Sequence, residues 1–218
     1  VRGKLAPYVS PDYLAAMPET FDLLENILEQ LNGRASLEAI RPHPSLWFRA
    51  FLLTPLSTVR CVLLGNEPYT DGSGNGLVYD TRRGTKVSPS LSNILRKIDE
   101  EFGSINTYSG ESYLSHLPSQ GVLMLNRSLT SAAGKKNAHR EIWRPFFSSF
   151  VSELNKVDNI TWVLWGEALH EINVTNVTHK LVKGPSPSPL AGNSFLEQPI
   201  FSIINNNITE LGGLPIQW

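Results

Sequence analysis

The chain has 218 residues and is 41% hydrophobic, enough to bury a core, and residues 1–218 are expected to form a single domain. A net charge of −1 and one cysteine, Cys61, exclude a bulk basic field, a disulfide framework and cysteine-based metal sites. No apolar run approaches the ~20 residues of a membrane span, and the start VRGKLAPYVSPD lacks the apolar centre of a signal peptide. The expectation is a soluble, intracellular monomer with no cofactor and no membrane partner.

In chain order, ETFDLLENILEQLN (19–32) has apolar residues at three- and four-residue spacing and predicts a helix. Pro42-His43-Pro44-Ser45 is expected to open a further helix ahead of the first core strand. Apolar runs predict strands at residues 58–65, 121–126, 160–166 and 179–184. Between them, SLSNILRKIDEEFG (90–103) and EIWRPFFSSFVSELNK (141–156) have helical periodicity, and a Pro-interrupted helix is expected over 195–212. Three of the strands barely alternate, as befits strands covered on both faces. The pattern predicts an α/β, three-layer fold with a central, mainly parallel four-stranded sheet flanked by helices. Five Asn-x-Ser/Thr matches, at Asn126, Asn159, Asn173, Asn176 and Asn207, are what chance places in an Asn-rich chain.

The informative segments follow the strands: GNEPYT (65–70), LNRSLTSAAGKKNAH (125–139), WGEA (165–168) and GPSPSPLAG (184–192). In an open parallel sheet, ligands bind beyond the carboxyl ends of the strands, so these four loops define one candidate site. DGSGNG (71–76) lacks the spacing and downstream acidic residue of a dinucleotide fingerprint. Its glycines are expected to let the chain pass closely under a bound base.

These loops, in this order, resemble the uracil-DNA glycosylases of family 1, which act on single- and double-stranded DNA. GNEPYT is similar to that family's Gly-Gln-Asp-Pro-Tyr-His, and GLVYD (76–80) to its Gly-Leu-x-Phe-Ser. SPS (88–90) resembles Pro-Pro-Ser, and LMLNRSLT (123–130) with Gly134 and Asn137-Ala138-His139 resembles Leu-Leu-Leu-Asn-x-x-Leu-Thr with its following Gly and Asn-x-His. LWGE (164–167) resembles Leu-Trp-Gly-Ser, and SPSPLA (186–191) resembles His-Pro-Ser-Pro-Leu-Ser. The match runs from about residue 40 to the closing PIQW. The departures are as informative: Glu67 stands for Asp, Asn66 for Gln, Thr70 and Ser186 for the two motif histidines, Tyr79 for Phe and Glu167 for Ser. A basic residue four positions after the wedge leucine is Ser194.

The resemblance implies a role for each position. Hydrolysis of an N-glycosidic bond puts positive charge on the sugar and negative charge on the departing base, so an anion, a positioned water and a donor at the base oxygen are needed. Glu67 takes the carboxylate position, one methylene longer, and Ser186 takes that of the missing histidine donor. Tyr69 would fill the space beside C5 of the base and exclude thymine. Asn126 would give a donor and an acceptor to one base edge. Tyr79 would stack on the base and Asn66 would keep an amide beside it. DNA would be held by Ser88, Pro89 and Ser90, by the turn at Gly166 and Glu167, and by Ser188, Pro189 and Leu190, with Leu190 as the inserted wedge. A carboxylate at Glu167 would repel a phosphate and weaken that grip. The implied function is excision of flipped-out uracil from DNA with altered or reduced catalysis. The alternative is an inactive relative that binds uracil-DNA or docks a protein partner. Redirection to another base is opposed by Tyr69 and Asn126.

Overall fold

The computed structural model describes residues 2–103, 110–170 and 172–218. The strands are β1 (Ile40–Arg41), β2 (Cys61–Gly65), β3 (Val122–Asn126), β4 (Ser131–Ala132), β5 (Thr161–Trp165) and β6 (Lys180–Gly184). The helices are α1 (Arg2–Leu5), α2 (Pro11–Ala16), α3 (Pro18–Asp22), α4 (Leu24–Arg34), α5 (Arg49–Leu53), α6 (Pro89–Phe102), α7 (Arg140–Leu154) and α8 (Ile200–Glu210). Among them no helix is long and apolar enough to cross a membrane.

Four strands form one parallel sheet in the order β3-β2-β5-β6. Every residue of β2, β3 and β5 is buried, which is why their sequences show no alternation, whereas the edge strand β6 exposes Leu181 and Lys183. Registers pair Gly65 with Asn126, Leu64 with Leu164, and Trp165 with Gly184. All four carboxyl ends therefore lie along one edge. The expected α/β sheet flanked by helices is the fold observed.

The helices pack in two groups: α7 against α3 and α4, and α6 against α8, which also touches β5 and β6. Edge-to-face rings fill the first group, with Phe51 packed at about right angles on Tyr13, Phe21 and Phe146. The Tyr13 hydroxyl, buried among them, donates to the Thr54 carbonyl at 2.9 Å. A two-residue antiparallel pair, β1 with β4, ties the chain before the sheet to the loop that follows β3.

Several boundaries differ from expectation for local reasons. The helix over 19–32 is divided by a tightened turn at Leu23 (φ −58°, ψ −23°). The last helix begins at Ile200, because Pro199 brings no N–H and disfavours helical backbone before it. Residue 58 closes a 3₁₀ turn, Leu56–Thr58, ahead of β2. Pro44–Leu46 forms one 3₁₀ turn whose start is capped by the His43 side chain, accepting from Ser45 N. Helices α2 and α5 carry too few apolar repeats to have been anticipated.

Gly65 closes β2 where the sheet edge becomes the site. A Cβ there would overlap the Val78 side chain and stand 2.8 Å from Asn126 Oδ1. Gly65→Ala is expected to lower unfolding free energy by about 1–3 kcal/mol, read from urea denaturation, because Asn126 ends β3 and Val78 is tied through its N–H to the Met124 carbonyl of the same strand.

Candidate active site

The four loops enclose a cavity of about 600 Å³ at the carboxyl edge of the sheet. Glu67, Tyr69, Tyr79, Asn126 and Ser186 all line it, with Leu190 at its rim. Residues distant in sequence are thus brought together as expected.

Asn126 ends β3 and is 7% exposed, and its Oδ1 is buried without a hydrogen-bond partner. An unmet acceptor costs about 1–3 kcal/mol, so this oxygen is poised for a ligand N–H. Across the cavity, the Tyr69 hydroxyl donates to the Tyr79 carbonyl at 2.9 Å and lies 2.6 Å from Ser88 Oγ. Burial pushes its phenol up to about 12, so the ring stays neutral. Tyr79 adopts a left-handed backbone (φ 62°), a strained state for a bulky residue, and its ring lies 5.7 Å from that of Trp165.

The next residue is Asp80, which the sequence did not single out. Fully buried, it accepts from Asn75 Nδ2 (2.9 Å), the Ser112 hydroxyl, Thr81 N (2.9 Å) and Leu114 N (3.2 Å). Burial raises its carboxyl above the usual range while these donors pull it back. The glycines of DGSGNG serve this same loop. Gly76 (φ +89°) packs its Cα against the Leu46 carbonyl and Arg49 Cβ, so the close approach it permits is to the protein's own backbone.

Glu67 is half-buried, and both of its oxygens share the Asn137 N–H at 2.9 Å. Burial raises its pKa; the Asn137 N–H, His139 and Lys136 oppose that, and Glu167 adds to it. Asn137 is itself left-handed (φ 57°). Behind it the buried His139 ring joins Glu38 Oε1 and Thr130 Oγ1, each at 2.9 Å, and Trp143 Nε1 donates to the same Thr130 hydroxyl. Its bond to His139 holds the Glu38 carboxyl below the usual range. Lysine, histidine and backbone thus surround the Glu67 anion.

The outer residues divide between internal and open roles. Ser88 caps α6, accepting from Leu91 N at 3.1 Å, so its hydroxyl is turned inward; Pro89 opens the helix and Ser90 lines the cavity. Ser188 accepts from Leu190 N at 3.4 Å and caps the turn Pro189–Ala191, which holds Leu190 91% exposed. The Ser186 hydroxyl accepts from Ser188 N at 3.2 Å. Gly166 (φ +61°) lies against it, since a Cβ on that glycine would stand 2.9 Å from Ser186 Cβ. Asn66 Nδ2 donates to Glu167 Oε2 at 3.1 Å, so this amide faces the third loop.

The uracil-DNA glycosylase of Campylobacter fetus is 34% identical over 184 residues, covering 82% of this chain and 78% of that protein. That of Geobacillus kaustophilus is 33% identical over 220 aligned positions, covering 97% and 95%. The chain belongs to the uracil-DNA glycosylase family. No protein-family model matches it. In fold it superposes on the crystal structure of mimivirus uracil-DNA glycosylase with a TM-score of 0.85 at 19% identity, covering 98% of this chain and 88% of that one. For the Nitratifractor salsuginis protein the TM-score is 0.72 at 18% identity, covering 96% and 94%.

Within this family frame, two residues escaped the sequence reading. Arg127, beside Asn126, is a buried cation at the site, and the sequence offers only its adjacency to that asparagine. Asp80 stands where the family motif has Ser, and nothing local marks it as buried. Asp80→Ala should cost about 2–3 kcal/mol of stability by chemical denaturation, because its donors lose their acceptor while Tyr79 keeps its strain.

Proposed function

We propose that this protein hydrolyses the N-glycosidic bond of uracil flipped out of DNA. The observation that carries the proposal is the unpartnered Asn126 oxygen, buried in a cavity walled by Tyr69 and Tyr79 and fronted by the Glu67 carboxylate. Uracil carries an N3–H for that oxygen and a neighbouring carbonyl for the asparagine amide; cytosine has an acceptor at N3 and an amine at C4. Tyr69, fixed at its hydroxyl, fills space that the methyl of thymine would need.

In the reaction the C1′–N1 bond breaks and its electron pair leaves with the base. Glu67 faces the sugar and stabilises its developing cation. Water adds to C1′, and the proton it releases balances the uracil anion, giving free uracil and an abasic site. Ser186 donates to the base oxygen, a shorter reach than the family's histidine, and a weakened donor of this kind costs on the order of 10²–10³ in rate. DNA is gripped by Ser90 at the start of α6, by the Gly166 turn and by the Ser188–Leu190 turn, with Leu190 taking the space of the departed base.

Three outcomes test this. In single-turnover assays with excess protein, uracil-containing single strands should yield alkali-sensitive abasic sites, whereas thymine and cytosine strands should not. Glu67→Gln should abolish excision, and Glu67→Asp combined with Ser186→His should raise it by at least about tenfold. A silent wild type awakened by that double substitution would support the binding-protein alternative.

The pH profile has a definite sign. Excision needs ionised Glu67, and burial raises that pKa above the ordinary 4.5. Activity should therefore fall on acidification at a higher pH than an ordinary glutamate would give. An acid limb at or below that ordinary value would remove Glu67 from the reaction.

A further inference from the structure

Glu167, which the family resemblance sets against a phosphate, bonds to the protein through one of its oxygens. Its Oε2 accepts from Asn66 Nδ2 at 3.1 Å and lies 3.9 Å from Arg127 Nη2. The same guanidinium donates to Asn66 Oδ1, so one amide is gripped at both ends, by the cation at its oxygen and by the carboxylate at its nitrogen. The Arg127 side chain is 6% exposed and that of Glu167 is 67% exposed, so the arrangement is a buried cation tied to an outer anion through an amide. The backbone adds two bonds at the same point: Arg127 N donates to the Gly65 carbonyl and Ser128 N to the Asn66 carbonyl, each at 3.0 Å. Asn66 is thereby fixed at both backbone and side chain, and the next residue in the chain is Glu67.

The geometry points to Glu167 and Arg127 as positioning residues that lock the Asn66 turn, and through it hold the Glu67 carboxylate on the Asn137 N–H. This inference rests on the proposed excision reaction, in which Glu67 faces the sugar. The three loops concerned follow β2, β3 and β5, so the brace spans three strand ends with side chains rather than sheet bonds. An ion pair with one buried partner is worth more than an exposed one, and Asn66 supplies the hydrogen bonds that orient it. Glutamine at 167 keeps an acceptor for Asn66 Nδ2 and the length of the arm; alanine keeps neither. That difference separates bracing from charge, because both substitutions remove the anion.

The test uses the full chain, with wild type, Glu167→Ala and Glu167→Gln carried through three measurements. Glu167→Ala should lower the single-turnover excision rate about tenfold, as a displaced carboxylate would, with uracil-DNA affinity changed less than about twofold. Glu167→Gln should recover most of that rate. Independently of catalysis, hydrogen exchange of the Asn137 amide should be faster in Glu167→Ala than in wild type and near wild type in Glu167→Gln. Equal Asn137 protection in all three proteins would overturn the brace, as would tighter DNA binding with an unchanged rate, which would return Glu167 to a phosphate. Loss of all excision in the wild type would instead overturn the proposed function, leaving Asn137 exchange to decide the brace. Arg127→Lys adds a check from the other end: a lysine keeps the charge but its ammonium falls short of the position of Nη2, which contacts both Asn66 and Glu167, so Asn137 exchange should rise here too.

Discussion

Parallel strands must all end on the same edge of their sheet, since each returns to its start through a crossover rather than a tight turn. Here that constraint brings Gly65, Asn126, Trp165 and Gly184 into line. Everything polar in the site grows out of those four ends, so side chains far apart in sequence are fixed relative to one another by sheet hydrogen bonds. The same edge is where backbone pairing stops, and groups that continue past it need other partners. Asn126 carries a buried side-chain oxygen in the base cavity which the protein leaves unmet. Glu67, by contrast, is met by Asn137 across the gap between two loops.

The sheet was legible because three of its strands are buried on both faces and carry continuous apolar runs. The edge strand β6 was legible as a fourth short apolar run, although it exposes Leu181 and Lys183. Short helices such as α2 and α5 were not, since they are stabilised by the ring cluster of Tyr13, Phe51 and Phe150 rather than by any periodicity of their own. At the site, the residues lining the cavity could be read from motif order. What they touch could not, because each partner arrives by tertiary approach. Nothing local in GNEPYT says that its carboxylate will find the amide of residue 137. Nor does SPS say that Ser88 will turn inward to cap α6 and meet Tyr69. Nor does DGSGNG say that Gly76, which lines the cavity, will also pass close to the Leu46 carbonyl.

The departures from the family motifs are related to each other physically. At 66 an amide arm is one methylene shorter than the family's glutamine, and at 167 an acceptor arm is longer than the family's serine. The two meet at 3.1 Å. Arg127 joins them, and burial lowers its pKa while the nearby Glu167 raises it, so the carboxylate helps keep that cation charged. Two changes that look like erosion when taken singly thus make, with Arg127, one polar connection. The connection also carries a cost at Glu67, since a second anion nearby disfavours the first.

That cost bears on the chemistry. Stabilising a sugar cation requires a carboxylate that is ionised, close and poorly hydrated, and these demands conflict because burial favours the neutral acid. The site answers with partial burial, a backbone N–H on the carboxylate and the positive charge of Lys136 nearby. Ser186 has no comparable support: its hydroxyl accepts from the backbone of its own loop, and Gly166 presses against its Cβ. Cation stabilisation at the sugar is therefore the better-built half of the proposed reaction. Departure of the base, with its growing negative charge, is the step left with the weaker donor.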